Sequence, residues 1–180
     1  MLPSKRLHVL LGMLALCSGA VACDATGAFG VKFGTPVPAA ASSVKDLYFQ
    51  GGTRLASFSA PAPAPLPGFD NHVYWSAPDR KAVYAVVAYK RLISDQKLLW
   101  DDDHRTAVLE KTKLEIRELA KSWEQAYGLA FRAESPKELT WKAESSDVRS
   151  RIGTFGGEFL YVECEHKQLQ QAAWDKGAQH

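Results

Sequence analysis

Four consecutive residues, Asp101-Asp102-Asp103-His104, form the densest group of metal-ligating side chains in the chain. Such groups could hold a hard cation if further oxygens joined them from elsewhere. Consecutive residues on a helix point in different directions, so they cannot all reach one ion. At a helix start the same residues cap free N–H groups and complement the dipole. Capping is therefore the expected role. Asp101, Asp103 and His104 are kept as weak metal candidates.

A second group, Glu163, Glu165 and His166, ends a run that reads as a strand. A carboxylate beside a histidine can orient general-base chemistry. Glu163 and Glu165 share one strand face, and on an antiparallel sheet a charged face is expected to meet solvent. His72 and His180 have no partner by spacing. Familiar catalytic signatures are absent: no Gly-x-Ser-x-Gly, no His-Glu-x-x-His, no Cys-x-x-Cys, no phosphate-binding or EF-hand loop. That argues against motif-bearing enzymes, so the expectation leans away from catalysis, and no cofactor is expected. Of the five tryptophans, Trp123 and Trp141 fall on expected core faces. Trp75 and Trp100 flank a hairpin and are the candidates for contacting a partner, since exposed tryptophan is a frequent interface anchor.

The cysteines depend on how the chain begins. Lys5 and Arg6 precede the apolar run Leu7 to Leu16, and small residues follow at Ala20 and Ala22. Charge, apolar run and Ala-x-Ala occur in the order of a secretory signal peptide, which predicts removal of residues 1–22. Cys17 leaves with it. In an oxidising compartment, Cys23 and Cys164 are then the default disulfide pair. Ala20-Val-Ala-Cys23 also resembles a lipobox, in which Cys23 would carry lipid and Cys164 would stay a small buried residue. The location is accordingly periplasmic or secreted, or alternatively membrane-anchored as a lipoprotein. Membrane contact is expected only through that anchor.

The formal net charge of +2 is the contribution of Lys5 and Arg6, so the mature chain is formally neutral. Charges are interspersed rather than blocked, and nothing points to a nucleic-acid partner.

The elements that must position these groups follow from periodicity. Residues 28–34 and 46–58 read as short strands. The stretch 60–68, Ala-Pro-Ala-Pro-Ala-Pro-Leu-Pro-Gly, favours polyproline II and reads as a stiff surface connector. His72 to Ser76 and Ala82 to Tyr89 form a hairpin, the second strand apolar enough to be central. From Asp103 to Tyr127 apolar positions recur at three, four and seven, one face of a long helix that Gly128 ends. Strands over 138–143, 148–155 and 158–164 follow, with a turn at Gly156-Gly157. A short helix from Lys167 to Trp174 closes the chain. Residues 23–180 therefore read as a single α+β domain: an antiparallel sheet of hairpins, one long amphipathic helix packed across it, and a short C-terminal helix.

The Phe29-Gly30-x-x-Phe33-Gly34 start, the long helix ending in Tyr127-Gly128 and the strand bearing Trp141 resemble small exported proteins of Gram-negative bacteria. That resemblance implies export and this fold, and brings no activity or site residues. Function is then expected to be that of a non-catalytic envelope protein that binds another protein, of the inhibitor or immunity type. The alternative is a periplasmic hydrolase or metal-dependent enzyme whose site is assembled from distant residues.

Overall fold

The structure, a computed structural model, describes residues 23–44 and 55–177. The signal peptide expected over residues 1–22, residues 46–54 of the strand expected over 46–58, and His180 lie outside the described residues. The described chain is α+β, with two antiparallel sheets, one long helix and one short C-terminal helix.

The small sheet contains β1 (Cys23–Asp24), β2 (Gly27–Ala28) and β3 (Val31–Lys32). One continuous strand was expected over 28–34. Instead the chain reverses at Phe29-Gly30, where both residues have positive φ, 53° and 75°. Two consecutive left-handed residues make the tight turn that suits a hairpin's twist. Phe29 is costly there, by about 1–3 kcal/mol. Its ring is fully buried, tilted against His72 and Trp123 at 5.8 and 6.2 Å. Burying a phenylalanine returns about 1.5–3 kcal/mol, enough to hold the turn.

The large sheet has eight strands in the order β4-β5-β6-β7-β11-β10-β9-β8. β4 (Ser42–Ser43), β5 (Ala56–Ser59), β6 (Asn71–Ser76) and β7 (Val83–Arg91) form one meander. The helix α1 (Asp102–Tyr127) carries the chain to the far edge. From there β8 (Arg132–Ala133), β9 (Thr140–Glu144), β10 (Val148–Phe155) and β11 (Phe159–His166) return to the centre, where β11 pairs with β7. The helix α2 (Lys167–Gly177) follows directly. Gly156 and Gly157, at φ 58° and 73°, make the β10–β11 turn.

The helix α1 buries Thr112, Ile116, Ala120 and Trp123. They join Val86, Ala88, Ile152, Leu160 and Val162 in the main core, so α1 covers one face of the sheet. Gly128 ends it in the left-handed conformation, φ 67°. Lys90 to Glu115 ties its flank to β7, and Arg117 to Glu138 ties it to the connection before β9. On the same face the Pro-rich segment is more than a connector. Its prolines are exposed while Ala62 and Leu66 reach into the core, and Pro61 O accepts the Tyr74 hydroxyl at 2.9 Å. The segment pairs with no strand and is tied down instead by the Ala64 N–H, which donates to Phe29 O at 2.9 Å.

Cys23 on β1 and Cys164 on β11 are joined by a disulfide, with 5.7 Å between Cα atoms and a sequence separation of 141. It ties the first described strand to a central strand of the large sheet.

Candidate functional site

Two places gather chemistry. The first is the approach to α1. A 3-10 helix, Gln96–Trp100, precedes it, and each of the two has its own aspartate cap. Asp95 accepts the Lys97 backbone N–H at 2.9 Å, and Asp101 accepts the His104 backbone N–H at 2.9 Å. Asp102 and Asp103 lie in the first turn of α1, where the dipole favours negative charge. The side chains of Asp101 to His104 do not converge. Among the described residues no group of three or more His, Cys, Asp or Glu is arranged to hold a metal ion.

Trp100 sits between these two caps and is 87% exposed, more than any other large apolar side chain among the described residues. Leu98 and Leu99 beside it are only half-buried. Trp75 is placed differently. It lies on β6, packs 6.4 Å from Tyr84, and belongs to the apolar clusters on the sheet face opposite α1. Trp123 and Trp141 pack in or against the main core.

The second place is that opposite face. Glu163 and Glu165 were expected in solvent, and they are buried, at 3% and 1% exposure. The reason is their position. β11 has a strand on each side, with Val87 and Ala85 of β7 in register with Glu163 and Glu165 on one side and the arginines of β10 on the other. Arg149 and Arg151 on β10 stand directly across from Glu165 and Glu163 in the pairing register. Arg149 Nη1 donates to Glu165 Oε1 at 3.0 Å, and Arg151 Nη1 reaches Glu163 Oε1 at 3.5 Å. Each arginine also meets an outer carboxylate. Arg149 Nη2 donates to Glu144 at 3.2 Å, and Arg151 Nε lies 3.9 Å from Glu134. The result is two parallel rungs, Glu165–Arg149–Glu144 and Glu163–Arg151–Glu134.

The rungs have an uneven electrostatic profile. Burial raises both inner carboxyls against the pull of the arginines, and Glu163 is pushed up to about 7. Outside, the Lys142 ammonium, 2.9 Å away, holds Glu144 down to about 2 with help from Arg149. Burial also raises the hydroxyls of Tyr84 and Tyr161, and the neighbouring glutamates push in the same direction. Glu163 and Glu165 line none of three surface hollows of about 260, 390 and 300 Å³. His166 is turned elsewhere, edge-on to Phe33 at 5.9 Å, and so does not complete a carboxylate–imidazole pair with them.

Sequence reasoning singled out the two glutamates and missed their arginines. A two-residue turn at Gly156-Gly157 would set Arg149 opposite Cys164; the turn also takes in Glu158, so that Phe155 pairs with Phe159, and this one-residue difference brings Arg149 and Arg151 opposite Glu165 and Glu163.

Comparison of the sequence with protein-family models and with curated proteins, and of the fold with solved structures, finds no match.

Proposed function

We propose that this is an exported cell-envelope protein that binds another protein without catalysis, as an inhibitor or immunity factor, and that the turn carrying Trp100 is its anchor. The observation that carries this is the capped turn. An aspartate cap on each helix fixes the backbone on both sides of a side chain that is 87% exposed. Burying a large aromatic on binding yields much energy, and a turn already ordered loses little entropy in doing so.

Export is supported by the charge, apolar run and Ala-x-Ala order of residues 1–22. A disulfide between Cys23 and Cys164 suits an oxidising compartment. A sulfur bonded to another sulfur has no valence left for a lipid thioether. The periplasmic or secreted form is therefore favoured over the anchored one.

The test is photocrosslinking in intact cells from position 100, with position 174 as control. Trp174 is also exposed, at 41%, but on α2. A discrete protein adduct from position 100 and none from 174 is expected. The captured partner should then bind Trp100→Ala at least about 30-fold more weakly than the native protein, as for an interface hot spot. No adduct from position 100 in either growth phase would count against the proposal, as would unchanged affinity of Trp100→Ala. Mass spectrometry of the mature N-terminal peptide tests location, and acyl mass on Cys23 would overturn the periplasmic assignment.

A further inference from the structure

We propose that Glu163 and Glu165 form a one-proton switch in the sheet: they hold a single proton between them, and its loss draws Arg149 and Arg151 inward, off Glu144 and Glu134. This is independent of the Trp100 surface, which lies at the start of α1.

The geometry sets the terms. Two carboxyl groups two residues apart on one strand face are both nearly solvent-free, and each lies in the other's field. Water cannot screen them, so two full charges at that separation repel strongly, and one shared proton relieves the repulsion. The groups facing them from the described elements are Tyr161 on β11, Tyr84 on β7, Arg149 and Arg151 on β10, and Lys142 and Glu144 on β9. Glu134 after β8 and Lys167 of α2 complete the set. Only the two arginines bring positive charge against the inner pair, and each is already shared with an outer carboxylate. When the inner pair carries one negative charge, the two guanidinium groups and the Lys142 ammonium match the three negative charges of that pair, Glu144 and Glu134. When it carries two, the same guanidinium groups are pulled toward the buried side, where attraction is least screened.

The consequence falls on the edge of the sheet. β8 and β9 are short and pair only at Arg132–Lys142 and Ala133–Trp141. Their ties to β10 include Arg149 to Glu144 and Arg151 to Glu134. Glu134 and Glu144 also line the hollow of about 390 Å³ at this edge, with Arg132 and Lys142. Loss of the proton therefore loosens the edge and leaves that hollow more negative.

The experiment follows the side-chain carboxyl carbons by NMR across pH 4 to 9 in the disulfide-intact mature protein, with amide hydrogen exchange of β8 and β9 over the same range. One carboxyl of the pair should titrate well above the ordinary glutamate range. After correction for intrinsic rates, exchange at β8 and β9 should rise several-fold across that same titration. Glu163→Gln mimics the protonated form in shape, so it should fold, remove the high titration and make edge exchange independent of pH. Glu144→Gln serves as a second variant that leaves the inner pair intact and should retain the high titration. Two ordinary carboxyl titrations in the native protein would overturn the switch. So would a high titration with no pH-dependent change in edge exchange.

Discussion

Arg149 stands directly across from Glu165 on one side and Glu144 on the other, at 3.0 and 3.2 Å. The two contacts differ in kind. The Glu165 side chain is 2% exposed and that of Glu144 is 36%. Breaking a buried pair leaves an uncompensated charge, and breaking an exposed one leaves a charge in water. Arg149→Ala is therefore expected to lower stability by about 3 kcal/mol. Glu144→Ala should cost no more than about 1 kcal/mol. Urea unfolding of both variants at pH 8, where Glu165 is more fully ionised, checks the ratio. Equal losses would mean that the inner contact carries no special weight.

Removing the disulfide should cost about 5 kcal/mol on the loop-entropy account, because it closes a very long loop. Cys164→Ser is the sharper variant, since it also places a hydroxyl in a fully buried site. Unfolding with and without reductant should give coincident curves for the variant and separated curves for the native protein. Coincidence in the native protein would show that the two ends are not covalently tied.

The caps and the tryptophan between them should separate cleanly. Asp101→Ala is expected to lose about 1 kcal/mol, the usual worth of an N-cap. Trp100→Ala should stay within about 0.5 kcal/mol of native, because its side chain makes little buried contact. Acrylamide quenching adds a second readout. Loss of Trp100 should remove the most quenchable part of the emission. A clearly destabilised Trp100→Ala would show that this residue packs in the fold rather than waiting for a partner.

His72 gives a pH dependence of opposite sign to that of the inner carboxyls. It is 3% exposed, its Nε2 has no hydrogen-bond partner, and burial pushes its pKa below the ordinary 6.5 despite the pull of Asp70. The unfolded chain then binds the proton more readily than the folded one. Its contribution to stability is present above pH 6.5 and fades as pH falls below it. Glu163 runs the other way. Its folded form keeps a proton that the unfolded form has lost, so its contribution is present below about 4.5 and fades as pH rises through about 7. Single variants separate the two. His72→Leu should flatten the acid limb of the urea midpoint, and Glu163→Gln the limb between pH 5 and 7. If His72→Leu leaves the acid limb unchanged, His72 is not the group responsible.

Much of the fold is legible in the residue pattern because its causes are local. The helix over Asp102–Tyr127 follows from apolar spacing and from Gly128, and the β10–β11 hairpin from Gly156-Gly157. The capping role of Asp101 was likewise readable, because a cap needs only its own neighbours. Phe29-Gly30 was missed as a turn because phenylalanine has no local preference for positive φ. The core that holds its ring lies far away in sequence.

The sequence by itself determined the α+β class, the order of its longer elements and the alternation that puts Glu163 and Glu165 on one face. Periods of 3.6 and 2 are properties of the local chain, so they survive without knowledge of neighbours. Only the tertiary structure decided which face α1 covers, that β11 lies between β7 and β10, and that the two glutamates are sealed rather than wet. Burial of a carboxylate depends on which distant side chains close over it, here arginines from another strand, and strand order is a non-local choice that no periodicity encodes.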